Sequence, residues 1–401
     1  MKSKLSLFFA LILMLIVNAC APLQVPATEP NEPPATPDIS STEPVEPSAT
    51  PETLPAAAFQ VAYIGQDGNV WFHPGLGSEL RQITTDAFRE EAGEAITYYF
   101  PQISSDGEWI AYRRDLAEPS TEPAEAGLNY TYGLFLFNTK TSESRQVLEE
   151  VPAGFDWKPG THLLAYGLGV PEGYFNFSGG DDPIDESLAR GLMEVNADSG
   201  ETRELVKPER GYALYNPQWS PDGRLLGFNE LTYMEGRGKF AYYDFEAGKY
   251  VAWDEPIGSY VFTPDGSLVI YDRLSYVADG SEDIFARPLQ EGNEDHLFPQ
   301  PAEVVYAYSP ALSPDGGRLA YLAKMDGQDA ETYTLYLSEL DGREPASLGT
   351  FETVLNLAWS PDWNWLVFSA GPWGSQQVIA LNVADGSTTV LAAGTAPDVS
   401  R

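Results

Sequence analysis

Cysteine is almost missing: Cys20 is the one cysteine in 401 residues, so no disulfide can form within the chain and stability has to come from burial. Histidine is nearly as scarce. His73, His162 and His296 lie in different stretches, without the spacing of a metal site. Bases are few as well, 23 Lys and Arg against 59 Asp and Glu, for a formal net charge of −36. Such a surface repels nucleic acid and anionic lipid headgroups. It suits cations, basic proteins or neutral ligands, and it also simply favours solubility. Neither a Gly-x-Ser-x-Gly nucleophile elbow nor a phosphate-binding loop is present. Long apolar runs are lacking too. Leu5 to Val17 is apolar apart from Ser6, and its 13 residues are too few to span a bilayer.

That short run follows Lys2 and Lys4 and ends at Val17-Asn18-Ala19-Cys20. A basic start, a short apolar core and small residues before a possible cleavage point make 1–19 a signal peptide. The ending resembles the lipobox of bacterial lipoproteins, with Asn18 the less usual member. The resemblance implies a lipidated Cys20 as the mature N-terminus, hence an extracytoplasmic protein anchored to a bacterial membrane, because several acyl chains hold where one is marginal. Residues 20–57 are Pro, Thr, Glu, Ala and Ser in pieces such as Ala35-Thr36-Pro37 and Ser48-Ala49-Thr50-Pro51. With almost nothing to bury, they are expected to form a disordered spacer.

From residue 58 to 401 the texture is short β-type runs and turns, expected to make one domain. The stretch Trp219-Ser220-Pro221-Asp222-Gly223-Arg224-Leu225-Leu226-Gly227-Phe228 reads as strand, tight turn, strand. Pro presets the first corner, Asp hydrogen-bonds its own backbone and Gly takes positive φ. Variants recur with turn positions at 105, 159, 221, 264, 314 and 361, at intervals of 43 to 62 residues. Four short strands per interval predict an all-β fold, a β-propeller of mainly four-stranded antiparallel blades. Six units carry the turn. An earlier stretch, Val61–Thr84, has three strands without it, so seven blades are expected, with six as the alternative. The innermost strand of the first blade is left to a piece near Ala56–Phe59 or to the C-terminal tail.

Ser-Pro-Asp-Gly followed by Leu-Ala-Tyr and Leu-Tyr-x-Leu, as at Ser313–Gly316, Leu319–Tyr321 and Leu335–Leu337, resembles the TolB-like propeller repeat. Similar repeats occur in the propellers of prolyl-oligopeptidase-type proteins, whose hydrolase domain has no counterpart here. The resemblance covers about residues 59–393 and implies a fold rather than a reaction. It also admits a role as a structural component of an envelope protein complex.

In a propeller the motif turns share one face, and the loops between second and third strands share the other with the links between blades. The long loops 113–132, 168–190, 229–238 and 273–282 all fall on that second face, where function is expected. Aromatic residues there, with apolar area and polar handles, are the candidate ligand-binding set: Tyr99, Tyr132, Tyr174, Phe175, Tyr215, Tyr260, Tyr308 and Trp373. The ligand expected is a protein, peptide or glycan, bound by a monomer without catalysis. No cofactor is expected, with one exception to consider. Asp181, Asp182, Asp185 and Glu186 in a Gly-rich loop have the carboxylate chemistry of a calcium site, though in so acidic a chain a solvated loop is the preferred reading. The competing class is a glycan-active enzyme using a carboxylate pair drawn from Asp181, Asp185 and Glu230. The motif aspartates Asp106, Asp222, Asp265, Asp315 and Asp362 are read as turn caps, not catalysts.

Overall fold

The computed structural model describes residues 59–75, 78–90, 93–120, 127–175, 184–231, 238–274, 282–289 and 295–400. All the described residues belong to the compact part Ala57–Arg401. Cys20 and the 20–57 spacer lie outside the described residues.

The first unit has β1 (Val61–Gly65), β2 (Val70–His73) and β3 (Arg81–Gln82). The second has a short β4 (Phe88–Arg89), then β5 (Ala95–Ile103), β6 (Trp109–Pro119), β7 (Leu128–Asn138) and β8 (Ser144–Leu148). The third runs β9 (Pro152–Trp157), β10 (Leu163–Leu168), β11 (Leu192–Asn196) and β12 (Thr202–Val206). The fourth is β13 (Ala213–Trp219), β14 (Leu225–Leu231), β15 (Lys239–Asp244) and β16 (Lys249–Pro256). The fifth is β17 (Tyr260–Phe262), β18 (Leu268–Leu274), β19 (Glu282–Pro288) and β20 (His296–Leu297). The sixth is β21 (Val304–Leu312), β22 (Arg318–Met325), β23 (Thr332–Glu339) and β24 (Ala346–Glu352). The last is β25 (Leu355–Trp359), β26 (Trp365–Ala370), β27 (Gln377–Asn382) and the long β28 (Thr388–Val399). All the pairings are antiparallel, and one three-residue 3-10 turn, Glu186–Leu188, is the only helix among the described residues.

β28 joins the two ends of the chain. Its first half pairs with β27, Thr388 opposite Leu381, and its second half pairs with β1, Val399 opposite Val61. The C-terminal tail is therefore the missing inner strand of the first unit. The match extends to the turn. In the second unit Ser104 N–H donates to the Trp109 carbonyl (2.8 Å) and its Oγ accepts from Trp109 N–H (3.0 Å). At the closure Ser400 N–H donates to the Gln60 carbonyl (3.1 Å) and its Oγ accepts from Gln60 N–H (3.3 Å). Ser400 thus fills the motif serine position, in a turn whose two halves come from opposite ends of the sequence.

Hydrophobic packing follows the same circuit. Separate buried clusters join units one and two, two and three, three and four, and so on round to seven and one. Each unit buries both faces against its neighbours and no unit ends the series, which makes the fold a β-propeller. Indole nitrogens add directional locks between neighbours: Trp157 Nε1 donates to the Gln102 carbonyl (3.2 Å) and Trp359 Nε1 to the Ala311 carbonyl (2.9 Å).

The inner strands carry a feature that the motif did not announce. Four residues before the motif position, the backbone turns left-handed at Phe100 (φ 52°), Asn216 (55°), Ser309 (53°), Asn356 (56°) and Ala396 (50°), with Gly154 (84°) in the third unit. Register shifts show a β-bulge at each place. Proline follows in four of them, at Pro101, Pro217, Pro310 and Pro397, where a residue without an N–H is tolerated. Gly154 is glycine for space as well as for φ: a Cβ there would lie 2.6 Å from Asn216 Cα.

The motif aspartates act as the caps expected. Asp222 Oδ1 accepts from Ser220 Oγ (2.5 Å) and Arg224 N–H (3.0 Å), and Ser220 is wholly buried. In the seventh unit Trp363 takes the glycine's place at φ 49°, and its N–H still reaches the Ser360 carbonyl at 2.9 Å. Asp265 is held at about 2 by hydrogen bonds from Thr263 and Ser267. A depressed carboxylate contributes stability above its unfolded value and loses it as pH falls through the folded one. The unfolding midpoint of the wild type is therefore expected to fall more steeply than that of Asp265→Asn between about pH 4 and pH 2. Parallel profiles in denaturant titrations would contradict this role.

Candidate functional site

The second unit departs most from its neighbours. β6 and β7 each run 11 residues, paired from Trp109–Asn138 to Pro119–Leu128. Their outer ends extend the hairpin on the side away from the motif turns. Strand alternation then sends two different sets of residues to its two faces.

On the face shared with the third unit, Trp109, Ala111, Leu134 and Leu136 are core. Further along, the same face carries Arg113, Tyr130 and Tyr132. The Arg113 guanidinium lies over two rings, 5.5 Å from Tyr99 and 5.3 Å from Tyr132. It also forms a two-pronged pair with Asp115, both bonds 2.6 Å. Burial raises the Asp115 carboxyl above its usual range, and Arg113 opposes the rise. Tyr130 stacks on Tyr132 at 6.1 Å, and Tyr99 adjoins Phe100, the exposed bulge residue, at 6.0 Å. Two cation–π contacts and a bidentate pair hold these rings in place, so they offer apolar area at low entropic cost.

On the face shared with the first unit there is a cleft of roughly 420 Å³, lined by Thr84, Asp86, Tyr98, Tyr112, Arg114 and Phe135, among others. It exists because β3 is two residues long and leaves the unit-two sheet uncovered. Tyr98 Oη donates to Asp86 Oδ1 at 2.6 Å, and Arg114 pairs with Asp86 at 3.5 Å. Tyr112 and Ser144 share a hydrogen bond of 2.8 Å. Burial, and then Asp86, push the Tyr98 phenol well above its usual value. Burial does the same for Tyr112, with Ser144 opposing. Both phenols therefore stay protonated at neutral pH, and Tyr98 serves as a donor. The wall combines stacked rings, hydroxyls and one ion pair, with the Asp86 carboxylate held by both Tyr98 and Arg114.

The eight aromatics expected at one mouth are dispersed. Tyr99 and Tyr132 come together around Arg113. Tyr174 and Tyr260 are instead core residues, 0% and 3% exposed. The Tyr174 hydroxyl donates to the Leu231 carbonyl and accepts from Ala213 N–H, with Phe175 edge-on at 4.9 Å. Tyr260 is packed against Phe240 and Phe262. Tyr215 Oη accepts from Gly238 N–H (2.9 Å), and Tyr308 sits edge-on to Tyr333. Trp373 is 62% exposed and donates to Glu331. Tyr260 wedges between neighbouring units from its inner strand, and Tyr174 is held between β10 and β11 against Ile184 and Ala213.

Of the acidic candidates, Asp181 and Asp182 lie outside the described residues. Asp185 caps the 3-10 turn, accepting from Ser187 N–H at 3.0 Å, and Glu186 lies against Gly211. Glu230 has no exposure; it accepts from Tyr250 Oη at 2.7 Å and faces Arg210 at 3.6 Å. That is a buried structural pair rather than a funnel carboxylate. Arg113, Arg114, Asp86, Tyr112 and Phe100 were not singled out by sequence. The stretch 113–132, expected as a long loop, is instead paired strand at both ends, β6 running to Pro119 and β7 starting at Leu128, and that extension is what brings these residues together.

No family model matches the chain, and no curated protein matches it. Solved structures do. An oligogalacturonate lyase in complex with manganese aligns at 15% identity and a TM-score of 0.54, over 77% of this chain and 84% of that one. The β-propeller domain of the Trilobed protease from Pyrococcus furiosus, described as having an open velcro topology, aligns at 14% and 0.51, over 75% and 86%. TolB from Acinetobacter baumannii aligns at 12% and 0.48, over 86% and 67%. At these identities the shared property is the propeller fold.

Proposed function

We propose that this chain is a non-catalytic binding propeller of seven blades, anchored outside the cytoplasm through Cys20 and a 20–57 spacer. It takes a neutral, hydroxyl- or amide-rich ligand, a glycan or an extended peptide, at the second blade. The observation that carries the reading is Arg113 clamped between Tyr99 and Tyr132. On the opposite face of that blade lies the cleft of Tyr98, Tyr112, Asp86 and Arg114. Rigid rings beside fixed donors and acceptors bind such ligands, and the cleft's carboxylate, Asp86, is engaged by Tyr98 and Arg114. A chain with 59 acids also disfavours an anionic ligand.

Glycan and peptide arrays probed with the wild-type protein test this reading. Tyr132→Ala and Arg114→Ala should each weaken the retained ligand by ten- to hundredfold, with melting temperature changed by no more than a few degrees. Ligand capture unaffected by both would remove the site. Turnover of an array glycan by the wild-type protein would overturn the non-catalytic reading.

A further inference from the structure

The face opposite the long loops carries a second cluster. His162, just beyond the unit-three motif turn, reaches across to the unit-two turn, with Nε2 2.9 Å from Asp106 Oδ2. Its Nδ1 lies 2.9 Å from Asp198, in the loop after β11. Asp198 is fixed in turn by Trp109 Nε1 at 3.1 Å. Glu108 lies beside Asp106 and pairs with Lys140. Ligand atoms of Asp106, Glu108 and His162 all fall within 4.8 Å of one another.

We propose that Asp106, Glu108 and His162 form a binding site for a divalent first-row cation such as Zn²⁺, joining the second and third blades. Asp198 is the reason to read the cluster this way. A carboxylate accepting the Nδ1–H is the usual outer support of a metal-bound histidine, and it leaves Nε2, now bonded to Asp106 at 2.9 Å, as the nitrogen that meets the cation once its proton is displaced. One imidazole and two carboxylates, with water completing the shell, suit a cation that accepts mixed nitrogen and oxygen ligands. Ligand atoms round a tetrahedral Zn²⁺ sit roughly 3.3 Å apart, so modest side-chain adjustment closes the site. Lys140 now neutralises Glu108, and its exposed ammonium is the group the cation displaces. Where the imidazole is protonated before loading, the Nε2–H bond breaks as the metal–nitrogen bond forms, and the proton passes to buffer.

Calorimetric titration of the full chain with Zn²⁺ tests this, backed by nitrogen chemical shifts of the three histidines. One saturable equivalent is expected, with the His162 Nε2 resonance moving and His73 and His296 unmoved. His162→Gln should abolish it. Asp198→Asn should weaken it ten- to hundredfold. Lys140→Met should tighten it several-fold. Uptake that survives His162→Gln would overturn the site, as would a His162 resonance that responds to pH but not to Zn²⁺. That last result would leave the histidine as a plain ionic clamp between blades. The shift measurement uses the wild-type chain, so the test holds even if a variant folds poorly.

Discussion

Removal of residues 394–401 abolishes cooperative unfolding, or lowers the melting temperature by more than about 10 °C. The truncated chain loses the half of β28 that pairs with β1, from Gly394 opposite Gly65 to Val399 opposite Val61. It loses Val399, fully buried among Phe59, Val61, Tyr63 and Trp365. It also loses the Asp398 carboxylate that accepts from Ile103 N–H at 2.8 Å, and the Ser400 half of the closing turn. Burial of one such side chain is worth about 2 kcal/mol and each net hydrogen bond about 1 kcal/mol. Together they approach the whole stability of an ordinary domain, 5–15 kcal/mol as an order of magnitude. Opening the ring also exposes unpaired edges on the first and last units. Differential scanning calorimetry decides the matter. A truncated protein melting sharply within a few degrees of the full chain would mean that β28 does not hold the ring closed.

Asp272→Ala is expected to cost about 3–5 kcal/mol, more than any other single substitution considered. Asp272 is 3% exposed, with Oδ1 accepting from Ser259 N–H at 3.1 Å and Oδ2 from Ser309 N–H at 2.9 Å. The two donors belong to consecutive units, and Ser309 is the left-handed bulge residue of β21. Removing the carboxylate breaks two charge-assisted hydrogen bonds, to Ser259 N–H on an exposed residue and to Ser309 N–H on a half-buried one, at about 1.5–3 kcal/mol each, and frees a strained residue. Asn does not restore the site, because its amide nitrogen would face one of the same donors. Guanidinium titrations of wild type, Asp272→Ala and Asp272→Asn measure this. A neutral or stabilising effect would show instead that desolvation of the buried charge cancels its hydrogen bonds.

Much of this architecture was legible in sequence because it is local. A Ser-Pro-Asp-Gly turn needs only its own residues, so Ser220, Asp222 and Gly223 act in the fold as their chemistry announces. The bulges were half legible: a left-handed residue cannot be read from Phe100 or Ala396, yet the proline after each marks where the ladder lacks a donor. Site chemistry was less legible. Tyr174 and Tyr260 looked like binding aromatics and became core: Tyr260, on the inner strand β17, wedges between adjacent units, and Tyr174, between β10 and β11, packs against Ile184 and Ala213. Arg113 gave no local sign, since its function depends on Tyr99 and Tyr132 arriving from two other strands.

Sequence alone determined the repeat, its turn chemistry and the antiparallel pairing within each unit. These follow from spacings of a few residues, over which propensity and turn geometry act. Tertiary structure alone decided that residues 394–399 complete the first unit and that Ser400 meets Gln60. It also decided that His162 lies between Asp106 and Asp198. Each of those contacts joins residues far apart along the chain, and only closure of the ring brings them within hydrogen-bonding distance.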